Sequence, residues 1–258
     1  MLTCSAVEIA VAGRRLIRDL SFTLAAGDLL CVLGPNGVGK TLALHTLAGL
    51  RPASRGSIRL GEDPLERLSR RQIARRLGLL LQDDTESFPA TVMETALMGR
   101  HPHLNGTGAE SAADVEKAVS ALAAMELTAF RDRLVSTLSG GERRRLALAR
   151  LLTQDPDIWL LDEPVNHLDP RHQVGMLLKL RELGAAGRGV AMTVHDPSLA
   201  LRFGSHALLL FPDGTWLLDS ARVALSAGNL ERLYATPYET FRSEAGEAAL
   251  LPAVATAD

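Results

Sequence analysis

The sequence predicts an α/β fold: a mostly parallel sheet core, an N-terminal antiparallel β subdomain and an inserted α-helical subdomain. Three observations lead there. Apolar runs at 29–33, 77–81, 158–161, 190–194 and 207–211 alternate with segments of helical spacing, as parallel strands joined by crossover helices do. The opening third instead carries strand-like stretches between turns. From Thr91 to about Leu152 the spacing is helical.

In chain order, Val7-Glu8-Ile9-Ala10-Val11 alternates, and Gly13 turns the chain into 16–20 and Ser21-Phe22-Thr23-Leu24. Gly27-Asp28 leads into Leu29-Leu30-Cys31-Val32-Leu33, a run apolar enough to be buried on both faces. Gly34-Pro35-Asn36-Gly37-Val38-Gly39-Lys40-Thr41 then fits G-x-x-x-x-G-K-[ST], the phosphate-binding loop (P-loop) of nucleoside triphosphatases. A helix over 42–50, closed by glycine, follows. Strand, glycine loop and helix form the context the motif requires. Glycines let backbone N–H groups curl around phosphate oxygens, and the helix start adds partial positive charge. Lys40 is placed to reach the β- and γ-phosphates, and the Thr41 hydroxyl to hold Mg²⁺.

Residues 56–61 read as a short strand and 68–76 as an arginine-studded helix. Without interleaved aromatic residues that helix reads as a solvated face, not a nucleic-acid patch. The strand at 77–81 ends at Gln82. Helices are expected over 92–99, 112–125 and 143–152, with a loop at 106–108 and a hairpin at Asp213-Gly214. The tail after about Glu244 is alanine-rich and expected to fray. The domain expectation is a single unit. Its nucleotide-binding core spans 1–87 and 154–243, its helical subdomain 88–153 and its flexible tail 244–258.

The 258 residues are 47% apolar, enough for a substantial core. A net charge of −2 gives no bulk attraction to nucleic acid or anionic membrane. Cys4 and Cys31 are too few for a disulfide framework. No apolar run has membrane-spanning length and no secretion signal opens the chain. The expectation is a cytoplasmic protein that serves a membrane only through a partner.

Asp162 and Glu163 close the apolar strand 158–161. An acid at the end of a buried strand, downstream of a phosphate loop, suits a magnesium site at Asp162. Glu163, one residue on, is placed to orient and polarise the attacking water. Leu138-Ser139-Gly140-Gly141-Glu142 opens the helix before that strand, and its glycines again expose backbone N–H groups to an anion. Taken alone, Ser-Gly-Gly is a capping turn.

Together with Leu160-Leu161-Asp162-Glu163-Pro164 and the later His195, these motifs resemble the ATP-binding subunits of ABC transporters, over nearly the whole chain and in the family's order. The resemblance implies a RecA-like P-loop core in which two chains pair head to tail. ATP with Mg²⁺ would sit between one chain's phosphate loop and the other's signature, Leu138 to Glu142. Ser139, Gly140 and Gly141 would then meet the γ-phosphate held by the partner chain. By the same resemblance, Gln82 would touch Mg²⁺ and the water, and His195 the γ-phosphate. Asn166, His167, Leu168 and Asp169 would cross the dimer interface. Further implied are a multi-helix transmembrane permease, indirectly a substrate-binding protein, a place on the cytoplasmic face of the plasma membrane, and no nucleic-acid partner.

Met98-Gly99-Arg100-His101-Pro102-His103, after Phe88-Pro89-Ala90-Thr91-Val92, resembles the branch that imports iron siderophores, haem and cobalamin. Three positions depart from the family pattern. Val11 stands where an aromatic residue usually stacks on adenine, a contact worth ~1–3 kcal/mol; Leu42 replaces a hydroxyl at the α-phosphate; Arg144 replaces a glutamine after the signature. The alternatives fit less well. A soluble ABC-type ATPase acting on nucleic acid or the ribosome would need a long coiled coil or a second ATPase unit. An unrelated P-loop kinase or GTPase leaves Ser139 to Glu142 unexplained.

Overall fold

The computed structural model describes residues 1–82, 89–104, 108–166, 168–244 and 246–253. The chain opens on the antiparallel strands β1 (Leu2–Val11) and β2 (Arg14–Leu24), then enters the core through β3 (Leu29–Leu33) and α1 (Lys40–Leu47). β4 (Arg55–Leu60) and β5 (Asp63–Pro64) complete the first sheet, in the order β2-β1-β4-β5. After α2 (Arg70–Arg76) and β6 (Leu77–Leu80) come the helices α3 (Val92–Leu97), α4 (Ala112–Ala124) and α5 (Gly140–Gln154). The sheet resumes with β7 (Ile158–Leu161), α6 (Pro170–Ala185), β8 (Gly189–Thr193), α7 (Pro197–Phe203), β9 (His206–Leu210) and β10 (Trp216–Ser220). α8 (Ala221–Ala224), α9 (Ala227–Tyr234), β11 (Tyr238–Arg242) and β12 (Ala248–Pro252) follow.

The central sheet runs β10-β9-β3-β8-β7-β6, parallel except for β10, which returns beside β9 as a hairpin. Every residue of β3, β7 and β8 is buried, because both faces are covered. Period-two alternation divides the core. Leu29, Cys31 and Leu33 face the helices α3–α6, with Trp159 and Met192. Leu30 and Val32 face α1 and the antiparallel sheet, with Leu160 and Ala191. Burial pushes the Cys31 thiol up to about 12, which leaves it a small apolar side chain.

The helical block shares this core rather than owning a separate one: Leu146, Leu148 and Leu151 of α5 lie in one cluster with Trp159 and Leu161. A Cβ at Gly99 would stand 2.2 Å from the Arg150 carbonyl, so glycine lets the chain cross α5 there. Arg100 is buried, donates to Asp114 at 2.7 Å and to the Thr153 carbonyl at 3.0 Å, and so ties this crossing to α4 and α5. The Ser111 hydroxyl and amide, then the Arg100 guanidinium, hold the Asp114 carboxyl well below the usual carboxylate range. A folded pKa below the unfolded one stabilises above about pH 4 and is lost as pH falls toward the folded value. Asp114→Asn is therefore expected to melt below the parent at pH 7, the gap closing as thermal melts are taken to about pH 3.

One expectation is extended and one corrected. The arginines of α2 do lie on a largely solvated face, with Arg70, Arg71 and Arg75 exposed, and they also anchor to backbone carbonyls. Arg71 and Arg75 both donate to the Pro102 carbonyl, at 3.0 and 2.7 Å, and Arg76 to the Leu60 carbonyl at 2.7 Å. The tail after Glu244 does not fray at once, because β12 pairs with β11 and buries Leu250. Ser198, in the first turn of α7, donates to the Leu250 carbonyl at 3.1 Å and accepts from its amide at 2.8 Å. Main-chain pairing plus one leucine anchor holds a segment whose side chains promise little. Residues 254–258 of the expected tail lie outside the described residues, as do Phe88 and His167.

Candidate functional site

The C-terminal ends of β3, β6, β7 and β8 open onto one cleft of about 390 Å³. It is lined by Asn36, Gly37, Gly39, Lys40, Thr41 and Leu42, and by Gln82, Glu163 and His195. Three distant stretches thus meet at the phosphate loop. That loop is forced by local sterics. A Cβ at Gly34 would lie 2.7 Å from the Leu210 carbonyl, and Gly39 starts α1 at φ 111°, where a side chain is strained. Val38 turns into the core, and the Pro35 carbonyl accepts from its amide at 3.4 Å. Lys40 is buried and donates through Nζ to the Gly34 carbonyl at 2.7 Å and to that of Pro35 at 3.3 Å. Burial lowers its pKa, and the charges of Glu163 and Asp162 work against that shift.

Asp162 is 1% exposed; Oδ1 accepts from the Thr193 hydroxyl at 2.6 Å, while Oδ2 is buried with no partner among the described residues. A buried carboxylate oxygen left without a partner is costly, and a cation or its bound water would satisfy it. The residues present therefore fit Mg²⁺: Asp162 keeps a buried acceptor without a partner among the described residues, and Thr41 brings its hydroxyl to the cleft. Thr193 was not foreseen. Its hydroxyl also accepts from the Glu163 amide at 2.8 Å, so it fixes both acids. The available signal was one hydroxyl in the otherwise apolar run Val190-Ala191-Met192-Thr193-Val194.

Glu163 is nearly buried and sits at φ 49°, a left-handed backbone unusual for a residue with a side chain. Its Oε1 lies 2.6 Å from His195 Nε2, its Oε2 accepts from Gln82 Nε2 at 3.1 Å, and Asn166 Nδ2 also donates to Oε2. The carboxylate is thus the hub of the cleft.

The five signature residues stand elsewhere and line no part of this cleft. Leu138 is buried in the core. Ser139 and Glu142 cap α5 reciprocally, the Ser139 amide donating to Glu142 Oε2 at 2.7 Å. Gly140 is exposed, and a Cβ added to it would meet nothing within 4 Å. The chain's own packing does not require glycine there. Of the expected interface segment, Asn166 turns to Glu163, Leu168 is buried, and Asp169 caps α6 by accepting from the His172 amide at 2.9 Å. Val11 is half-buried at the end of β1 and does not line the cleft.

A phosphate loop between a buried strand and a helix, with an acid pair at the end of a strand two places along the same parallel sheet, defines the class of P-loop nucleoside triphosphatases. The model of the ABC transporter family matches residues 17–166. The chain is 37% identical over 241 residues to the hemin import ATP-binding protein HmuV of Rhizobium leguminosarum, covering 90% of this chain and 87% of that one. It is 36% identical over 214 residues to the cobalamin import ATP-binding protein BtuD of Halobacterium salinarum, covering 83% of this chain and 53% of the relative. A solved metal-chelate type ABC transporter in an inward-facing conformation superposes with a TM-score of 0.86 at 26% identity, covering 98% of each chain. The chain belongs to the ABC transporter family and is one of its ATP-binding, ATP-hydrolysing subunits. Nothing in these likenesses supports the nucleic-acid reading. Among the described residues no helix is long and apolar enough to cross a membrane.

Proposed function

We propose that this chain is the motor of an importer for a metal chelate (haem, cobalamin or an iron siderophore) and that two copies close head to tail around two ATP. The observation that carries the pairing is the signature helix start. It is exposed, lies outside its own cleft and holds a glycine that its own packing does not require. A backbone that needs no glycine internally but keeps one is suited to close approach by something external. The chelate class rests on the hemin and cobalamin import relatives and on the metal-chelate structure.

Each residue then has a task. Gly34 to Gly39 cradle the phosphates, Lys40 takes the β- and γ-oxygens, and Leu42 offers its backbone N–H at the α-phosphate. Thr41 and Asp162 would hold Mg²⁺ with help from Gln82, and the ion would neutralise phosphate charge. Glu163 orients the attacking water, and His195 turns from Glu163 to the γ-phosphate. Glu163 already accepts from Gln82 and Asn166 through Oε2 and contacts His195 through Oε1, which leaves a lone pair on Oε1 to accept from a water. ATP drives closure only as far as it favours the closed pair over the open one. Asn166 to Asp169 would run along the closed interface. The permease would receive the motion from the segment after Gln82, and a substrate-binding protein would deliver the chelate on the far side. That arrangement puts the chain on the cytoplasmic face of the plasma membrane. The core would comprise 1–87 and 154–243 and the helical unit 88–153.

The test is reconstitution in vesicles with the transmembrane permease that this chain pairs with. ATP-dependent uptake of hemin, cobalamin or a ferric siderophore is expected. A complex that hydrolyses ATP but moves none of these would sink the chelate assignment, and a chain that never joins the permease would sink transport.

A further inference from the structure

Arg144 lies in the second turn of α5 and is 8% exposed. Its guanidinium reaches two strand ends at once. Nη1 donates to the Leu81 carbonyl at 2.5 Å and to that of Gln82 at 3.4 Å. Nη2 donates to the carbonyls of Asp162 and, at 2.8 Å, Glu163; Nε donates to that of Pro164 at 3.4 Å. These carbonyls follow the neighbouring parallel strands β6 and β7, from which the side chains of Gln82 and Glu163 leave to meet in the cleft. A guanidinium carries five N–H donors in a rigid fork and stays charged; a glutamine has two donors on one nitrogen and no charge. A glutamine could serve one strand end. Arginine grips both.

The same helix begins at Ser139 and Gly140. One buried side chain therefore binds the signature start to the backbone that carries the hub carboxylate and its amide partner.

We infer that Arg144 is a positioning residue that links the two ATP sites of the closed pair. It lines no part of the cleft. It makes Ser139 to Gly141, which act on the partner's ATP, move as one body with Gln82 and Glu163 of their own site. This rests on the head-to-tail reading above. A chain whose own cleft is filled then offers its signature in register, so the second ATP is gripped better once the first is in place. Reciprocity follows, since a coupling between two sites acts equally in both directions.

The test uses the full chain carrying Glu163→Gln, so that ATP is held without turnover. Two quantities are measured: the affinity of the dilute chain for a fluorescent ATP analogue, and the ATP concentration that half-converts the chain to dimer by light scattering. Adding Arg144→Gln is expected to raise the dimerisation midpoint by about tenfold while changing single-chain affinity by less than about twofold. Arg144→Lys keeps the charge and three donors on one nitrogen, should recover part of the shift, and carries the test if the glutamine variant misfolds. An unchanged midpoint overturns the linkage. So does a parallel loss of affinity, midpoint and melting temperature, which would make Arg144 a strut of the fold and nothing more. If the Glu163→Gln parent fails to dimerise with ATP, the head-to-tail reading falls and the linkage with it, so the two failures are told apart.

Discussion

Glu163→Gln is expected to lower ATP turnover by about two to four orders of magnitude, the range for removing a positioned general base. ATP binding should survive, because the substitution leaves Gly34 to Thr41, the proposed cradle of the phosphates, untouched. An amide keeps the shape and can still bond to Gln82, His195 or Asn166, so the fold should not change. It cannot polarise a water as a carboxylate does. Steady-state phosphate release, with nucleotide retention measured on the same preparation, checks both halves. A variant that hydrolyses at the parent rate would remove Glu163 from the role given to it.

Gly140→Glu separates stability from activity with opposite signs. Space around the Cβ is open, so no clash follows inside the chain. Gly140 is the first residue of α5, where an acid adds about 0.3–1 kcal/mol from the helix dipole. Melting should be unchanged or slightly raised. On the head-to-tail pairing proposed above, ATPase activity should fall by about a hundredfold, because a carboxylate would be pushed at the partner's γ-phosphate where backbone donors belong. Thermal melts and turnover on one sample decide it. A stable variant with normal turnover would mean that the signature end meets no nucleotide.

The parts of the site that the sequence revealed are those whose chemistry is contiguous. Gly34 to Thr41, Asp162-Glu163 and Ser139 to Glu142 each announce an anion or metal function within a few residues, since loop, strand end and helix start are local geometries. Gln82 and His195 are different. They reach Glu163 across 81 and 32 residues of chain, and only the family resemblance marked them. Arg144 was visible as a departure, but its use was not, because its acceptors are backbone carbonyls that no side-chain pattern advertises. The parallel core was legible from apolar runs alone, whereas β12 was not. Its strand is held by main-chain pairing and by Ser198, which a composition of alanine hides.

The left-handed backbone at Glu163 has a consequence for how this chain could change. A side chain there costs on the order of 1–3 kcal/mol that a glycine would not incur. The carboxylate proposed to orient the water thus occupies a position where folding alone prefers something else. Screening variants for heat resistance would favour discarding it, and a lineage freed from the need to hydrolyse ATP would be expected to lose this residue before the phosphate loop.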